Sequence, residues 1–344
     1  TVGSIAGAGQ IKLGSATLTS GGNNASTTFS GVISDTGGLT KVGTGVLTLS
    51  GANTYQGNTL VSGGTLAVGH ASGLGDTSGG TSVASGAALD LLGVEVQGET
   101  LTLAGGTLKD TTSSWTGNIG LTANSFFEVG SGDTLTISGV ISESGGGFGI
   151  TKLGAGTLVL AADNTYTGGS TISAGLTQVG HAGAFGSGAV SVSNGAALDL
   201  AGFSIANALT VRGTGIASSG VLFNSASTAA GATGAIMLAD AATFKNVGAL
   251  TLGSINGAAA LNLQNTGTVL LGGTVGGTTA LTSLSATGPI TVGASVTTTG
   301  TQTYGGAVTL SGGDRTLTGS TIRTQSTLAG GGNALTITGV ADID

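Results

Sequence analysis

The chain has 344 residues, of which 70 are glycine, one is proline and none is cysteine, and 39% are hydrophobic. With 8 basic and 15 acidic residues, its net charge is −7, and no cluster of basic residues is present for binding nucleic acid. The lack of cysteine excludes disulfides, zinc knuckles and thiol nucleophiles, and no apolar run is long enough for a membrane-spanning helix.

Short alternating segments separated by glycine run through the whole chain. Examples are VLTLSG at 46–51, TLTISG at 134–139, TLVL at 157–160 and ALTITG at 334–339. This period of two places Leu47 and Leu49 on one face of a strand and Thr48 on the other. It likewise places Leu158 and Leu160 opposite Val159. The many Gly and Thr residues disfavour helices, so the sequence predicts an all-β chain with inward-facing leucine ladders.

Long-period repetition indicates the architecture. GVIS at Gly31 recurs at Gly139, TKVGTGVLTL at Thr40 recurs as TKLGAGTLVL at Thr151, and GAALDL at Gly86 recurs at Gly195. Every tyrosine lies in the pattern T-Y-x-G, which indicates a structural motif; these are Tyr55, Tyr166 and Tyr304. Short strands with frequent turns and repeats favour a β-solenoid over a β-sandwich, which would need longer strands and aromatic core residues.

We therefore expect residues 1–344 to form a single continuous, elongated β-solenoid of degenerate repeats, with repeat-like units at about 30–137, 138–240 and 241–344. Coils of about 20 residues rising about 4.8 Å each would give roughly 17 coils over roughly 80 Å. The chain begins at Thr1 without a signal-peptide pattern, and we expect it to be a segment of a longer secreted precursor.

The paired repeats carry a family resemblance. GVISDTGGLTKVGTGVLTLSGANTYQGNTLVSGGTLAVG at 31–69, echoed at 139–180, resembles the β-strand repeats of autotransporter passenger regions, and TTTGTQTYGGAVTLSGGDRTLTGSTI at 297–322 resembles segments of large Gram-negative surface adhesins. The resemblance implies a right-handed parallel β-helix, displayed on or released from a Gram-negative cell by a precursor with an outer-membrane translocation barrel. The second copy reads AGLT at 174–177 in place of GGTL, which bears on the register of one coil.

Both histidines, His70 and His181, follow a V-G dipeptide at equivalent places in the two repeats. A catalytic imidazole needs an acid within hydrogen-bond reach, and the repeat-matched acids Asp90 and Asp199 would be the candidates. The alternative is a polar turn residue that repeats because the scaffold repeats. We favour the turn residue and predict no catalytic role for either histidine.

The acidic residues give little support for polysaccharide cleavage, which uses clustered carboxylates with a basic partner. Asp90 and Asp199 alternate with leucine in ALDL and are expected to point into solvent. The other acids are scattered, and the arginines are distant from them; these residues are Glu95, Glu99, Asp110, Glu128, Asp133, Arg212, Arg315 and Arg323. GLGDTSGG at 73–80 and GGDR at 312–315 are expected to be turns and not calcium sites.

The sequence thus predicts an extracellular structural or adhesive protein, not an enzyme, without catalytic, cofactor-binding or metal-binding residues. Its expected partners are further coils of the same precursor, or other copies stacked end to end because neither terminus carries a polar cap, and a glycan or other cell-surface ligand. The alternative is a β-helix protein that binds or cleaves polysaccharide.

Overall fold

The computed structural model describes residues 1–343, which fall into two compact units. The first comprises Thr1–Ser170 with Gly183–Ser187, and the second comprises Thr171–Ala182 with the residues from Gly188 onward. Within residues 1–343 the only helical segment is a single 3-10 turn, Ile216–Ser218, and no helix is long and apolar enough to cross a bilayer. The predicted all-β chain is confirmed.

In the first unit, strands of two to five residues follow one another: β1 (Gln10–Lys12), β2 (Leu18–Ser20), β3 (Thr27–Phe29), β4 (Val32–Ser34), β5 (Leu39–Lys41), β6 (Val46–Leu49), β7 (Thr59–Val61), β8 (Thr65–Val68), β9 (Gly80–Ala84), β10 (Ala88–Leu91), β11 (Glu95–Val96), β12 (Thr100–Ala104), β13 (Thr107–Asp110), β14 (Ser113–Trp115), β15 (Ile119–Ala123), β16 (Ser125–Val129), β17 (Thr134–Ile137), β18 (Ile141–Glu143), β19 (Ile150–Leu153) and β20 (Thr157–Leu160).

These strands pair in parallel with strands one coil before and after them. One seven-stranded sheet has the order β18-β15-β12-β9-β7-β5-β2. A second ladder runs from β3 through β6, β8, β10, β13 and β16 to β19, and a third joins β11, β14, β17 and β20. Pairing between coils, and not between sequence neighbours, defines a β-solenoid.

The second unit repeats this arrangement. Its strands are β21 (Ser170–Ile172), β22 (Leu176–Val179), β23 (Val190–Val192), β24 (Ala197–Asp199), β25 (Ser204–Ile205), β26 (Leu209–Gly213), β27 (Leu222–Asn224), β28 (Ala230–Ala232), β29 (Ile236–Asn246), β30 (Leu250–Leu252), β31 (Ile255–Asn256), β32 (Ala260–Asn265), β33 (Val269–Leu271), β34 (Ser283–Ala286), β35 (Ile290–Val292), β36 (Val296–Thr297), β37 (Gln302–Tyr304), β38 (Val308–Leu310), β39 (Arg315–Thr324), β40 (Leu328–Ala329) and β41 (Leu335–Ile343). A seven-stranded sheet has the order β25-β28-β30-β33-β35-β38-β40. The predicted solenoid fold is confirmed, with about 17 turns over residues 1–343.

The core is a set of stacked aliphatic ladders. In the first unit, parallel pairing places five fully or almost fully buried side chains directly above one another: Leu47, Leu66, Leu89, Leu108 and Phe127. Leu158 and Leu160 are also fully buried and lie in register with Leu135 and Ile137. Thr48 and Val159 lie on the opposite face and are half-buried. The predicted strand phase is confirmed.

The second repeat copy begins on a different face of the coil from the first copy. β5, which carries Lys41 of the first copy, pairs with β2 and β7 in the seven-stranded sheet. The equivalent strand β19, which carries Lys152, pairs instead with β16, in the ladder that contains β6 and β8. The repeat spacing is therefore not a whole number of coils, and matched residues of the two copies project from different faces.

The altered AGLT segment does not shift the register. Leu176 pairs with Ala197 and Thr177 with Leu198, in the same way that Thr65 pairs with Ala88 and Leu66 with Leu89. The order of leucine and threonine is exchanged between the copies, so Leu176 is half-exposed and Thr177 is 1% exposed. Backbone pairing with the next coil fixes the phase, although it places the polar residue inside.

Candidate functional site

His70 lies in the turn after β8 and is half-buried. Its Nδ1 accepts a hydrogen bond of 3.0 Å from the backbone N–H of Ser72. His70 lines a shallow groove together with Thr77 and Glu95, and no hydrogen bond or ion pair among residues 1–343 joins it to Asp90. The sequence did not single out Glu95 as a neighbour, because the two residues come together only where consecutive coils stack.

His181 is half-buried at the equivalent turn after β22. The repeat-matched acid, Asp199, was predicted to point into solvent, and this prediction is wrong. Asp199 is 2% exposed and not solvated. Its carboxylate accepts hydrogen bonds from the backbone N–H groups of Ala201 and Ser225, from the Ser225 hydroxyl and from the Gln178 amide. The outward strand position is covered by a loop, and the carboxylate holds that loop in place.

Two lysines that the repeats share are buried inside the coil. Lys41 is fully buried, and its Nζ donates to the carbonyls of Val42, Gly43 and Gly63 at 2.7–3.1 Å. Lys152 is 1% exposed and donates at 2.8 Å to the carbonyls of Leu153 and Gly154. Burial lowers the pKa of Lys152 to about 8. Buried polar groups require such partners, and the T-K-x-G motif therefore closes a turn.

Gly154 shows why this motif ends in glycine. Its φ is +74°, and a Cβ at this position would lie 2.1 Å from the carbonyl oxygen of Val129 in the preceding coil. Left-handed backbone and close backbone contact both require glycine. The glycine of this turn therefore has a steric and structural role.

The N-T-Y-x-G segment of the first two repeats ties neighbouring coils together. Asn53 is buried, accepts from the N–H of Ile33 at 2.8 Å and donates to the carbonyl of Gly73 at 2.7 Å. Asn164 makes the equivalent bonds to Ile141 and Ala184 at 2.7 and 2.6 Å. Each amide bridges the coil before and the coil after its own.

The tyrosines are buried in the same way. The hydroxyl oxygen of Tyr55 lies 2.5 Å from that of Thr59, and the hydroxyl oxygen of Tyr166 lies 2.7 Å from that of Ser170. The Tyr304 hydroxyl donates to the Gln302 amide oxygen at 2.8 Å. All three phenols are fully buried, and burial raises each pKa. The structural role predicted for the T-Y-x-G pattern is confirmed.

The second unit has an asparagine ladder that the sequence analysis missed. Asn224, Asn246 and Asn265 stack in register at the ends of successive strands and are all buried. Their amides donate to the carbonyls of Thr228, Gly248 and Gly267 at 2.6–3.0 Å. Unequal strand and loop lengths hide this spacing in the sequence.

Two acids in the first unit are buried with few partners. Glu99 is 3% exposed and accepts a 2.8 Å hydrogen bond from Thr81, and burial raises its pKa to about 7. Asp110 is 6% exposed, neither carboxylate oxygen has a hydrogen-bond partner, and burial raises its pKa to about 6. Raised pKa values accompany catalytic acids, but no basic side chain is paired with either residue in the part of the chain that is described.

The remaining charges are spread over separate surfaces. Asp90, Lys109 and Glu128 stack in register, with Lys109 and Glu128 3.6 Å apart. Arg323 pairs with Asp342 at 2.7 Å.

Asp76 of the GLGDTSGG segment accepts from the N–H of Ser78 at 2.9 Å and so closes a turn, as expected. Residues 1–343 contain no group of three or more His, Cys, Asp or Glu side chains that could hold a metal ion.

The outer face of the first seven-stranded sheet is neutral and rich in hydroxyl groups. Thr40, Leu60, Ser82 and Thr102 follow one another in register across four coils. They line an open groove of about 520 Å³ together with other serine, threonine and glycine residues. This face offers hydrogen-bonding groups without charge.

The comparisons with known proteins agree with this scaffold. The passenger-associated-transport-repeat model matches residues 39–68 and 150–179, which are the two repeats that contain Lys41 and Lys152. The chain is 34% identical over 215 residues to the adhesin BmaC autotransporter of Brucella suis biovar 1 (strain 1330). That alignment covers 59% of this chain and 6% of the adhesin. No solved structure matches the chain. The resemblance to autotransporter passenger regions is confirmed.

Proposed function

We propose that this chain is a non-enzymatic, adhesive part of an autotransporter passenger, exposed on the outer surface of a Gram-negative cell. The observation that carries the proposal is the pair of passenger repeats combined with identity to an autotransporter adhesin. The buried positions of the repeated Lys, Asn and Tyr residues support a scaffold role for the motifs. In the precursor, an outer-membrane translocation barrel would export the chain.

Coil-by-coil folding suits such export. Each coil contacts mainly the coils before and after it, so folding can proceed from whichever coils have left the membrane. The chain has no cysteine, and no disulfide can form before translocation. These properties support a secreted scaffold that is assembled outside the cell.

The adhesive role is tested by displaying residues 1–344 on a non-adherent Gram-negative strain through a translocation barrel. We expect the displayed chain to increase attachment to host cells or to immobilised matrix, with the same barrel lacking the chain as the control. Surface display should be verified with an epitope tag. Attachment equal to that of the barrel alone, at equal display, contradicts the adhesive role.

End-to-end association is a second candidate. The last strand, β41, pairs with β39 on one side, and its Val340 and Ile343 are 63% and 48% exposed. An open strand edge beside exposed apolar side chains accepts a further parallel strand, either from a following coil of the same polypeptide or from another copy. Light scattering and electron microscopy at increasing concentration test self-association, and a strictly monomeric species contradicts it.

A further inference from the structure

A groove of about 520 Å³ crosses the outer face of the second unit where β27, the C-terminal half of β29 and β32 lie side by side. Phe223, Lys245 and Gln264 project from these strands in direct register. Adjacent coils lie about 4.8 Å apart, so an aromatic ring, an ammonium group and an amide follow one another across three coils. This volume is in the range of small-molecule sites.

Lys245 and Gln264 are the free polar groups of this groove. The neighbouring asparagines Asn224, Asn246 and Asn265 are buried, and their amides are engaged with backbone carbonyls. By contrast, neither Lys245 nor Gln264 has a side-chain hydrogen bond or ion pair within residues 1–343. Two unengaged donors beside a half-buried aromatic ring can bind a ligand without breaking an internal bond.

An enlarged loop forms one wall of the groove. In the first repeat unit, β12 and β13 are joined by Gly105 and Gly106 alone, whereas the equivalent strands β26 and β27 are joined by residues 214–221. In this loop Ala217 and Ser218 have φ values of +45° and +62°, and Ser219 lines the groove. Left-handed backbone at residues other than glycine is strained and is concentrated at ligand sites. The connection between these two strands is therefore longer in the second unit than in the first.

The groove chemistry selects the class of ligand. Backbone groups of β27, β29 and β32 pair with the coils on both sides, which leaves no edge for an added peptide strand. A single lysine can pair with one carboxylate, whereas the closely spaced phosphates of nucleic acid require several basic side chains together. An aromatic ring suits the apolar face of a sugar ring, the Lys245 ammonium suits a carboxylate, and the Gln264 amide suits sugar hydroxyls. The Ser219 and Thr266 hydroxyls already donate to the carbonyls of Gly220 and Asn246, and their oxygens can still accept a hydrogen bond from a sugar hydroxyl.

We propose that this groove binds a carboxylate-bearing sugar unit of an acidic polysaccharide, with Phe223 under the sugar ring, Lys245 on the carboxylate and Gln264 on a hydroxyl. The proposal deepens the adhesive function and rests on it. Val247, which is 58% exposed at the groove, extends the apolar floor beside Lys245.

Titration calorimetry and saturation-transfer NMR on the full chain test the site, with trigalacturonate and a hyaluronate tetrasaccharide as acidic probes and galactotriose as the neutral probe. We expect acidic probes to bind with a Kd below about 10 mM and Lys245→Gln to weaken binding at least about tenfold. Lys12→Gln is the matched control, because Lys12 is an exposed lysine of the first unit. Phe223→Leu should also weaken binding, and circular dichroism should show that each variant is folded.

Equal binding of galactotriose, unchanged binding by folded Lys245→Gln, or no binding of either acidic probe overturns the proposal. Preferential binding of a hexaglutamate peptide overturns it as well. If the displayed chain is adhesive but the Lys245→Gln variant adheres equally, the proposed sugar site in the groove is wrong and the adhesive function is retained. If acidic sugars bind through Lys245 but display gives no attachment, the groove stands and the adhesive function is wrong.

Discussion

Thr177 stacks directly against Leu198 of the next coil, and its hydroxyl is buried without a hydrogen-bond partner. The first repeat has Leu66 at this position, in register with Leu89. The exchange of leucine and threonine between the copies therefore leaves a polar atom in an aliphatic ladder.

Replacing Thr177 by leucine should stabilise the chain by about 1 to 3 kcal/mol, because it removes an unsatisfied buried hydroxyl and adds apolar burial. The double variant Leu176→Thr, Thr177→Leu restores the order of the first copy and should be at least as stable. Urea denaturation measures the change. Thr48→Leu, on an outward face, is the control and should change stability little; a destabilised Thr177→Leu would mean that the site has no room for leucine.

Core and outward positions of one strand should differ strongly. Leu158 is fully buried and Val159 is half-buried. Leu158→Ala should cost about 2 to 5 kcal/mol through lost burial and a cavity, whereas Val159→Ala and Thr48→Ala should each cost a few tenths, about 0.5 kcal/mol at most. Equilibrium denaturation of the three variants gives the comparison, and equal costs would contradict the strand phase.

Stability should fall as pH rises from about 4 to about 7. Burial raises the pKa of Glu99 to about 7 and of Asp110 to about 6, above their values in an unfolded chain. The folded state therefore binds more protons in this range, and its advantage is lost as the pH passes the folded pKa values. Hydrogen bonds lower the pKa values of Asp76 and Glu143. These two groups make the folded state more stable as pH rises, but only at lower pH.

Asp110→Asn tests this assignment. Asp110 occupies the strand-end position of the first unit that asparagine occupies in the ladder beginning at Asn224. The variant should lose less stability than the parent chain as pH rises, and it should be more stable at pH 7 by about 1 to 3 kcal/mol. Glu95→Gln, at an exposed side chain, is the control. Melting temperatures between pH 4 and 8 are the measurement, and an unchanged slope for Asp110→Asn speaks against a buried carboxylate there.

Replacing His70 and His181 by alanine should leave the fold intact, with a loss of about 0.5 kcal/mol each. The His70 ring makes a local turn contact with Ser72, which accounts for a small effect. The purified chain should release no new reducing or unsaturated ends from a panel of bacterial and host polysaccharides. Turnover that the double variant abolishes would establish a catalytic role and overturn this prediction.

Much of the fold could be predicted from the sequence because a solenoid repeats local rules. Alternation in VLTL and TLVL fixed which leucines face inward, since successive side chains of a strand lie on opposite faces. The T-Y-x-G pattern marked positions that are buried in every copy. Whether the whole chain forms one continuous solenoid, right-handed and elongated, and whether it stacks end to end, stay predictions.

Contacts between coils were decided only by the tertiary structure. The sequence placed Asp199 in solvent by alternation alone, but residues from a loop more than twenty positions away cover it. Thr177 is inside because pairing with Leu198 outweighs its own preference for the surface. The row of Phe223, Lys245 and Gln264 exists because coils of unequal length bring residues of no fixed spacing into register. Strand phase is a local property of sequence, whereas adjacency between coils depends on the length of every intervening loop.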